Sequence, residues 1–423
     1  MIAVWLRFSD LDSRPIHADE ATGARILAVR LDASASYQFD PAHFHGPLLT
    51  LLAMPWSQSQ DQNDWSSLQV ATLRQLTAFC GLLTLIGISA LGMGTIRALI
   101  AMSLTATSPL LVYYARDFIH EPLFLLAAIP ALIGLLGLLK NHRSKCAGLI
   151  FGIGIGLMAA TRETVVISLF VWSLACIFFF LRQSRSQGHS VPLIHRFQQA
   201  SFPLFIAGLA ALSIIFLTYS SGGQHPAGFF DFFKTYLEYQ TTSGHEKPFT
   251  YYGALLIWPK YSAGVWWFEG AIFFLALAVY RGKPNDPHST TARFFCDAGI
   301  LHLLVYSFIA YKTPWLASLG WFHCCVAAGY GAVVLFQPLK GLLKYACIVF
   351  LGGIFLWHGL QADRAAFRLT SDGRNPYAYV PTSKDILSLA TFLNQVQATS
   401  PTAANQPIAI IGDQYWPLPW YLR

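Results

Sequence analysis

Two acids stand side by side in HADEATG, residues 17 to 23 of a chain that is otherwise largely apolar. Asp19 and Glu20, with His17 beside them, are residue types that can take a proton from an incoming hydroxyl. Ionisable groups at the edge of a membrane are costly unless paired or used. Three further charged turns punctuate the chain: ARDFIHEP at 115–122, TRET at 161–164 and YKTPW at 311–315. Arg116, Arg162 and Lys312 in those turns are cations suited to a phosphate, the arginines through a planar fork. A base beside phosphate-binding cations implies transfer of a sugar from a lipid phosphate, with the cations meeting the charge of the leaving group.

Each of these residues also has a plainer role open to it. Glu121, just before Pro122, and Glu163, just before the next apolar run, are placed to cap helix N-termini and meet the helix dipole. Asp19 and Glu20 would also suit a solvated loop pair, and Lys312 an anchor reaching to the interface. His43 and His45 in HFHG are metal-ligand types, but two histidines one residue apart are a weak pattern that packing or hydrogen bonding explains as well. What favours chemistry is the arrival of all four segments at one membrane face, and that depends on topology.

The 423 residues are 54% hydrophobic and 12% charged, a balance that excludes a soluble domain with a polar shell. A span takes roughly 20 apolar residues, and such runs lie near 70–91, 95–114, 122–140, 146–161, 164–182, 201–220, 264–280, 294–311, 316–336 and 342–360. Residues 1–8, MIAVWLRF, read as the last half of one more span. The expectation is an all-α polytopic membrane protein with ten to eleven crossings.

Lys and Arg collect in one set of alternate loops: Arg97; Lys140, Arg143 and Lys145; Arg182, Arg185 and Arg196; Arg281, Lys283 and Arg293; Lys340 and Lys344. These loops are predicted to be cytoplasmic. The four charged turns then share the outer face of the cytoplasmic membrane. The net charge of +7 follows from this topology and from contact with anionic headgroups; no basic stripe with interleaved aromatics calls for nucleic acid.

Outer loop 9–68 holds two short apolar segments, HADEATGARILAVRL and the run 47–56, expected to lie in the interface as helices. A second outer loop, 221–263, is rich in Tyr, Phe and His of the kind found at headgroup level. Residues 1–360 are read as the membrane domain. Residues 361–423 form a small outer tail, an incomplete one by this reading, with a helix at 383–397 and a strand at 408–412, giving it α/β character. The seven cysteines sit in or beside apolar runs without a CxxC pair and are read as free thiols.

The acidic dipeptide in the first outer loop, the later charged turns and the outer tail resemble the GT-C superfamily of polyprenyl-phosphate-sugar-dependent glycosyltransferases, which includes protein O-mannosyltransferases and the aminoarabinose transferases of lipid A. More closely, HADEATGARIL, YQFDPAHFHGPLL, SPLLVYYARDFIHEPLF, GLMAATRET, HEKPFTYYGALLIW, YKTPWL and YWPLPWYLR are similar to membrane proteins described as flippase-activity-associated in archaeal-type N-glycosylation clusters.

The resemblance implies Asp19 as general base with Glu20 as its partner. It places Arg116 and Glu121 in its second charged turn and Arg162 and Glu163 in its third, while the residues' own chemistry nominates Arg116, Arg162 and Lys312 for the donor phosphate, with His17, His43, His45, Asp117, Glu121, Glu163, Tyr251, Tyr252 and Trp315 as supporting residues. It implies a polyprenyl-phosphate sugar as donor and no nucleotide sugar. A divalent metal held by the acids stays open, as do the sugar and the acceptor. A transporter or flippase accessory for lipid-linked sugars is the competing reading. It would place ionisable groups near mid-membrane within paired repeats.

Overall fold

A computed structural model of the protein describes residues 1–32, 37–187, 193–239, 244–283, 286–400, 402, 406–412 and 415–423. The Arg185 side chain lies outside the described residues. The chain runs through α1 (Ile2–Phe8), α2 (Ala18–Leu31), α3 (Leu48–Gln58), α4 (Val70–Ile88), α5 (Thr95–Thr107), α6 (Pro109–Ala115), α7 (His120–Lys140), α8 (Lys145–Thr161) and α9 (Val165–Gln187). There follow α10 (Leu193–Tyr219), α11 (Asp231–Glu238), α12 (Gly270–Leu277), α13 (Pro287–Phe308), α14 (Ser318–Phe336), α15 (Gly341–Asp363), α16 (Asp385–Thr399) and α17 (Leu418–Tyr421). One antiparallel hairpin, β1 (Lys260–Ser262) and β2 (Val265–Trp267), turns through Ala263 and Gly264 at φ of 54° and 76°.

The protein is a multi-pass membrane protein. Each of the ten apolar runs contains helix, yet among the described residues six helices are long and apolar enough to cross alone, or seven if α5 and α6, bent by 65° at Ser108, count as one span. That is fewer than ten to eleven for physical reasons. Lys145–Thr161 and Gly270–Arg281 are short. The run at 264–280 gives its first residues to the hairpin, and α13 carries Arg293, Asp297 and His302 within its length. In the tail, α16 forms where a helix is predicted, whereas 408–412 forms no strand. A lone apolar pentapeptide with no described partner strand has nowhere to send its backbone hydrogen bonds.

Burial orders the bundle. α14 has 78% of its apolar window buried and lies at the centre, while α10 and α15 have 17% each and present apolar side chains outward, as lipid-facing helices do. α8 threads between α7 and α10 on glycine. A Cβ at Gly154 would come within 2.2 Å of the Ala131 backbone on α7, and one at Gly152 within 2.2 Å of the Ala207 carbonyl on α10. Without a hydrophobic drive between helices in lipid, such backbone approach is what packing can offer.

The α5/α6 break is repaired from far along the chain. Glu269, fully buried just before α12, accepts from Ser108 Oγ (2.5 Å), Leu110 N (3.1 Å), Trp321 Nε1 (2.8 Å) and Tyr377 Oη (2.6 Å). One carboxylate therefore ties together α6, α12, α14 and the segment after α15.

Candidate active site

The turn before α2 is held by a reciprocal cap: His17 Nδ1 accepts from Asp19 N (3.2 Å), and Glu20 Oε2 accepts from His17 N (2.8 Å). With Nδ1 accepting, the ring proton is on Nε2, which donates to the Tyr379 carbonyl (3.1 Å). The cap separates the two acids. Glu20 turns inward and is fully buried; Asp19 turns out, with 56% of its side chain exposed.

Glu20 is saturated. Its oxygens receive Arg74 Nε and Nη2, both at 2.7 Å, and Phe118 N at 2.8 Å, and Arg14 stands 4.0 Å away. Arg74 spends its remaining hydrogens on the carbonyls of Leu11 (2.6 Å), Arg14 (3.0 Å) and Pro15 (3.1 Å). Burial alone would raise the Glu20 carboxyl, but the charge and hydrogen bonds of Arg74, with Arg14 behind, hold it down to about 2. Asp117 pairs closely with Arg14. This knot pins α2 to the second charged turn, and Gly23 allows the approach: a Cβ there would lie 3.2 Å from the Phe118 ring.

Asp19 opens onto a cavity of about 300 Å³, walled by α2, the HFHG loop, the second and third charged turns and the YKTPW segment. Its lining includes Asp19, Tyr37, His43, His45, His120, Glu121, Arg162, Tyr239, Tyr311 and Trp315. HFHG is pressed onto the end of α8, for a Cβ at Gly46 would come within 2.3 Å of the Ala160 carbonyl. His45 thereby reaches Glu163, Nδ1 to Oε2 at 2.9 Å, and stacks on Tyr239 with centroids 5.5 Å apart. Burial would raise the Glu163 carboxyl, yet His45 and Arg162 bring it to about 2.

Arg162, the one Lys or Arg among the described lining residues, pairs closely with Glu121 and lies 3.7 Å from Glu163. Its Nε is buried without a hydrogen-bond partner. Tyr311 feels the cavity's charges: burial raises its hydroxyl above the usual phenol range, Asp19 adds to this and Arg162 opposes it. The cavity thus pairs an accessible carboxylate with a guanidinium that retains an unused donor.

Two of the three predicted phosphate ligands lie elsewhere. Arg116 donates to the carbonyls of Leu6 and Asp10 (both 3.1 Å) and stacks over Phe367, so it ties α1 to the second turn. Lys312, 2% exposed, donates to the carbonyls of Lys247 (2.9 Å) and Ile309 and joins the segment before Phe249 to YKTPW. Neither lines the cavity. Backbone carbonyls in a dry interior claim such cations before a ligand can. Tyr252 donates to the Thr313 carbonyl (3.0 Å) with Tyr251 packed against its ring, while His43 bonds Asp40 (2.9 Å) at the cavity rim. Among the described residues no group of three or more His, Cys, Asp or Glu is arranged to hold a metal.

Sequence reasoning passed over Arg74, His120, Tyr37, Tyr239 and Tyr311. Arg74 had a signal, a lone cation near the start of an apolar run. His120 lay inside a quoted motif. So did Tyr37 and Tyr311, at the heads of YQFDPAHFHGPLL and YKTPW, whereas Tyr239 carried no distinguishing pattern.

No family model matches the chain, and neither does any curated protein sequence. Among solved structures, ArnT from Cupriavidus metallidurans bound to undecaprenyl phosphate aligns with all of this chain and 83% of its own, at TM-score 0.65 and 15% identity. The chain has a GT-C fold. Archaeal oligosaccharyltransferase from Archaeoglobus fulgidus extends the GT-C likeness. Its complex with zinc and sulfate aligns over 98% of this chain and 58% of its own, at TM-score 0.54 and 13% identity. Its complex with an inhibitory peptide and a dolichol-phosphate gives 0.52 and 13%, over 98% of this chain and 60% of its own.

Proposed function

We propose that this protein is a glycosyltransferase that moves a sugar from a polyprenyl-phosphate donor to an acceptor at the extracytoplasmic face of the cytoplasmic membrane. The observation that carries this is the convergence of four sequence-distant charged segments on the Asp19 cavity, in a fold shared with an enzyme bound to undecaprenyl phosphate. Asp19 Oδ accepts the proton of an acceptor hydroxyl as its oxygen attacks the anomeric carbon. The bond from that carbon to the phosphate oxygen breaks. The departing lipid phosphate takes the electron pair, and Arg162 meets its charge.

Glu20 is a positioning residue in this scheme: by fixing the cap it holds Asp19 at the rim. An apolar groove of about 480 Å³ between the segment 249–258 and helices α12 and α13 is suited to an isoprenoid tail. Ser307 in its lining stands four residues before Tyr311, which lines the cavity. The placement of Lys and Arg supports the outward orientation.

The test uses membranes carrying the protein, radiolabelled polyprenyl-phosphate sugars and Asp19→Asn at matched expression. Label release that requires Asp19 is the expected result. Full release by the variant removes Asp19 as the base, and acceleration of lipid scrambling without release favours the flippase-accessory reading.

A further inference from the structure

α2 has a second working side. Asp19, Thr22, Gly23 and Ile26 recur at helical spacing and line the catalytic cavity, whereas Arg25, Ala28, Val29, Leu31 and Asp32 fall on another stripe and line a separate groove of about 810 Å³. The outer wall of that groove comes from Asn63, Asp64 and Trp65 and from Tyr415, Trp416 and Pro419 at the end of the chain. One helix, about 10 Å thick, separates the two spaces.

The groove is built before anything enters it. Trp416 Nε1 donates to the Ala18 carbonyl (2.9 Å), which fixes that ring beside the residue preceding Asp19. Trp65 is set edge-on against Trp420 with centroids 5.2 Å apart, and Arg423 donates to its carbonyl (2.5 Å). The Asp64 carboxylate is held by Ser66 Oγ (2.7 Å) and Ser67 N (2.8 Å). Arg25 stands 6.0 Å from the Trp416 ring centre.

Fixed aromatic rings offer flat apolar faces, and an arginine, an asparagine amide and two carboxylates surround them with donors and acceptors. One cation against two acids gives the lining no surplus of positive charge, which disfavours a phosphate-bearing guest. An amphiphilic, uncharged ligand with C–H faces and many hydroxyls satisfies both features. The volume lies toward the top of the roughly 300–1,000 Å³ range of small-molecule sites.

We infer that this groove is a subsite for a neutral oligosaccharide, the sugar portion of the acceptor. Its role as acceptor subsite rests on the transferase reading above, while saccharide binding itself does not. The geometry is that of a remote hold: contacts one helix away from the reacting carbon bind the acceptor and place its hydroxyl at Asp19.

The experiment applies the purified full chain in detergent to an array of neutral oligosaccharides and, separately, measures donor-sugar release to water without acceptor. Arg25→Ala, Asn63→Ala and Tyr415→Ala, all at exposed positions outside the Asp19 cavity, are compared with the unaltered protein. The expected result is oligosaccharide binding that weakens about tenfold or more in the variants, with donor release unchanged. Binding to no oligosaccharide, or binding that all three variants leave intact, overturns the subsite; a peptide or a further stretch of chain seated there would give that result. Absence of Asp19-dependent release in membranes carrying the unaltered protein overturns the transferase reading instead, and the array is read independently of it.

Discussion

Asp19 and Glu20 are neighbours in the chain and opposites in environment. Around Glu20, Arg74 and Asp117, nearly every polar atom has its partner and water is excluded. Around Asp19 the carboxylate is exposed, Arg162 Nε lacks a hydrogen bond, and histidine and tyrosine rings line open space. The same residue types serve both regions, and what differs is saturation. A charged group whose hydrogen bonds are all taken holds the fold, and one left with spare capacity beside a cavity is available to a substrate.

The sharpest way to break this contrast is to neutralise each acid in turn. Asp19→Asn should lower sugar release by about 100- to 10,000-fold, as loss of a general base does, with an unchanged melting temperature. Glu20→Gln should do the reverse in kind, costing about 3–5 kcal/mol of stability because the buried Arg74 charge loses its partner; thermal melting in detergent measures it. A Glu20→Gln protein as stable as its parent would place Glu20 with Asp19 after all.

Acid should sharpen the same line. Glu20 and Glu163 have folded values near 2, below the ordinary 4.5. Their contribution to stability is complete above about 4.5 and is lost as pH falls toward 2. Melting temperature should therefore hold above pH 5 and drop below it, and Glu20→Gln should flatten part of the drop.

Among the cations, Arg162→Lys should raise the donor KM by about ten- to a hundredfold, since an ammonium cannot reproduce a fork shared with Glu121. Lys312→Met should leave donor KM within a few-fold of the parent and cost only about 1–3 kcal/mol, from two carbonyls left without a donor. A large KM effect at Lys312 would move the phosphate site away from Arg162.

The fold class was legible because a run of apolar residues long enough to span a membrane is a strong, local signal. The convergence of the four turns was legible too, since alternate-loop charge bias assigns them to one face. What composition does not encode is which charged group turns inward. Glu20, Arg116 and Lys312 are indistinguishable in sequence from Asp19 and Arg162; their fates are decided by Arg74 and by carbonyls remote along the chain. The strand expected at 408–412 fails to form for a similar cause, for a strand exists only with a partner.

The repair of the α5/α6 break has a consequence for biogenesis. Ser108 and its carboxylate partner lie 161 residues apart. At roughly 5–20 residues per second of synthesis, the broken span waits about 10–30 s for Glu269 to emerge. During that interval the Leu110 amide and the Ser108 hydroxyl need a temporary acceptor, whether water in the insertion channel or a chaperoning helix. Insertion of this protein is thus a timed event in which a late helix completes an early one.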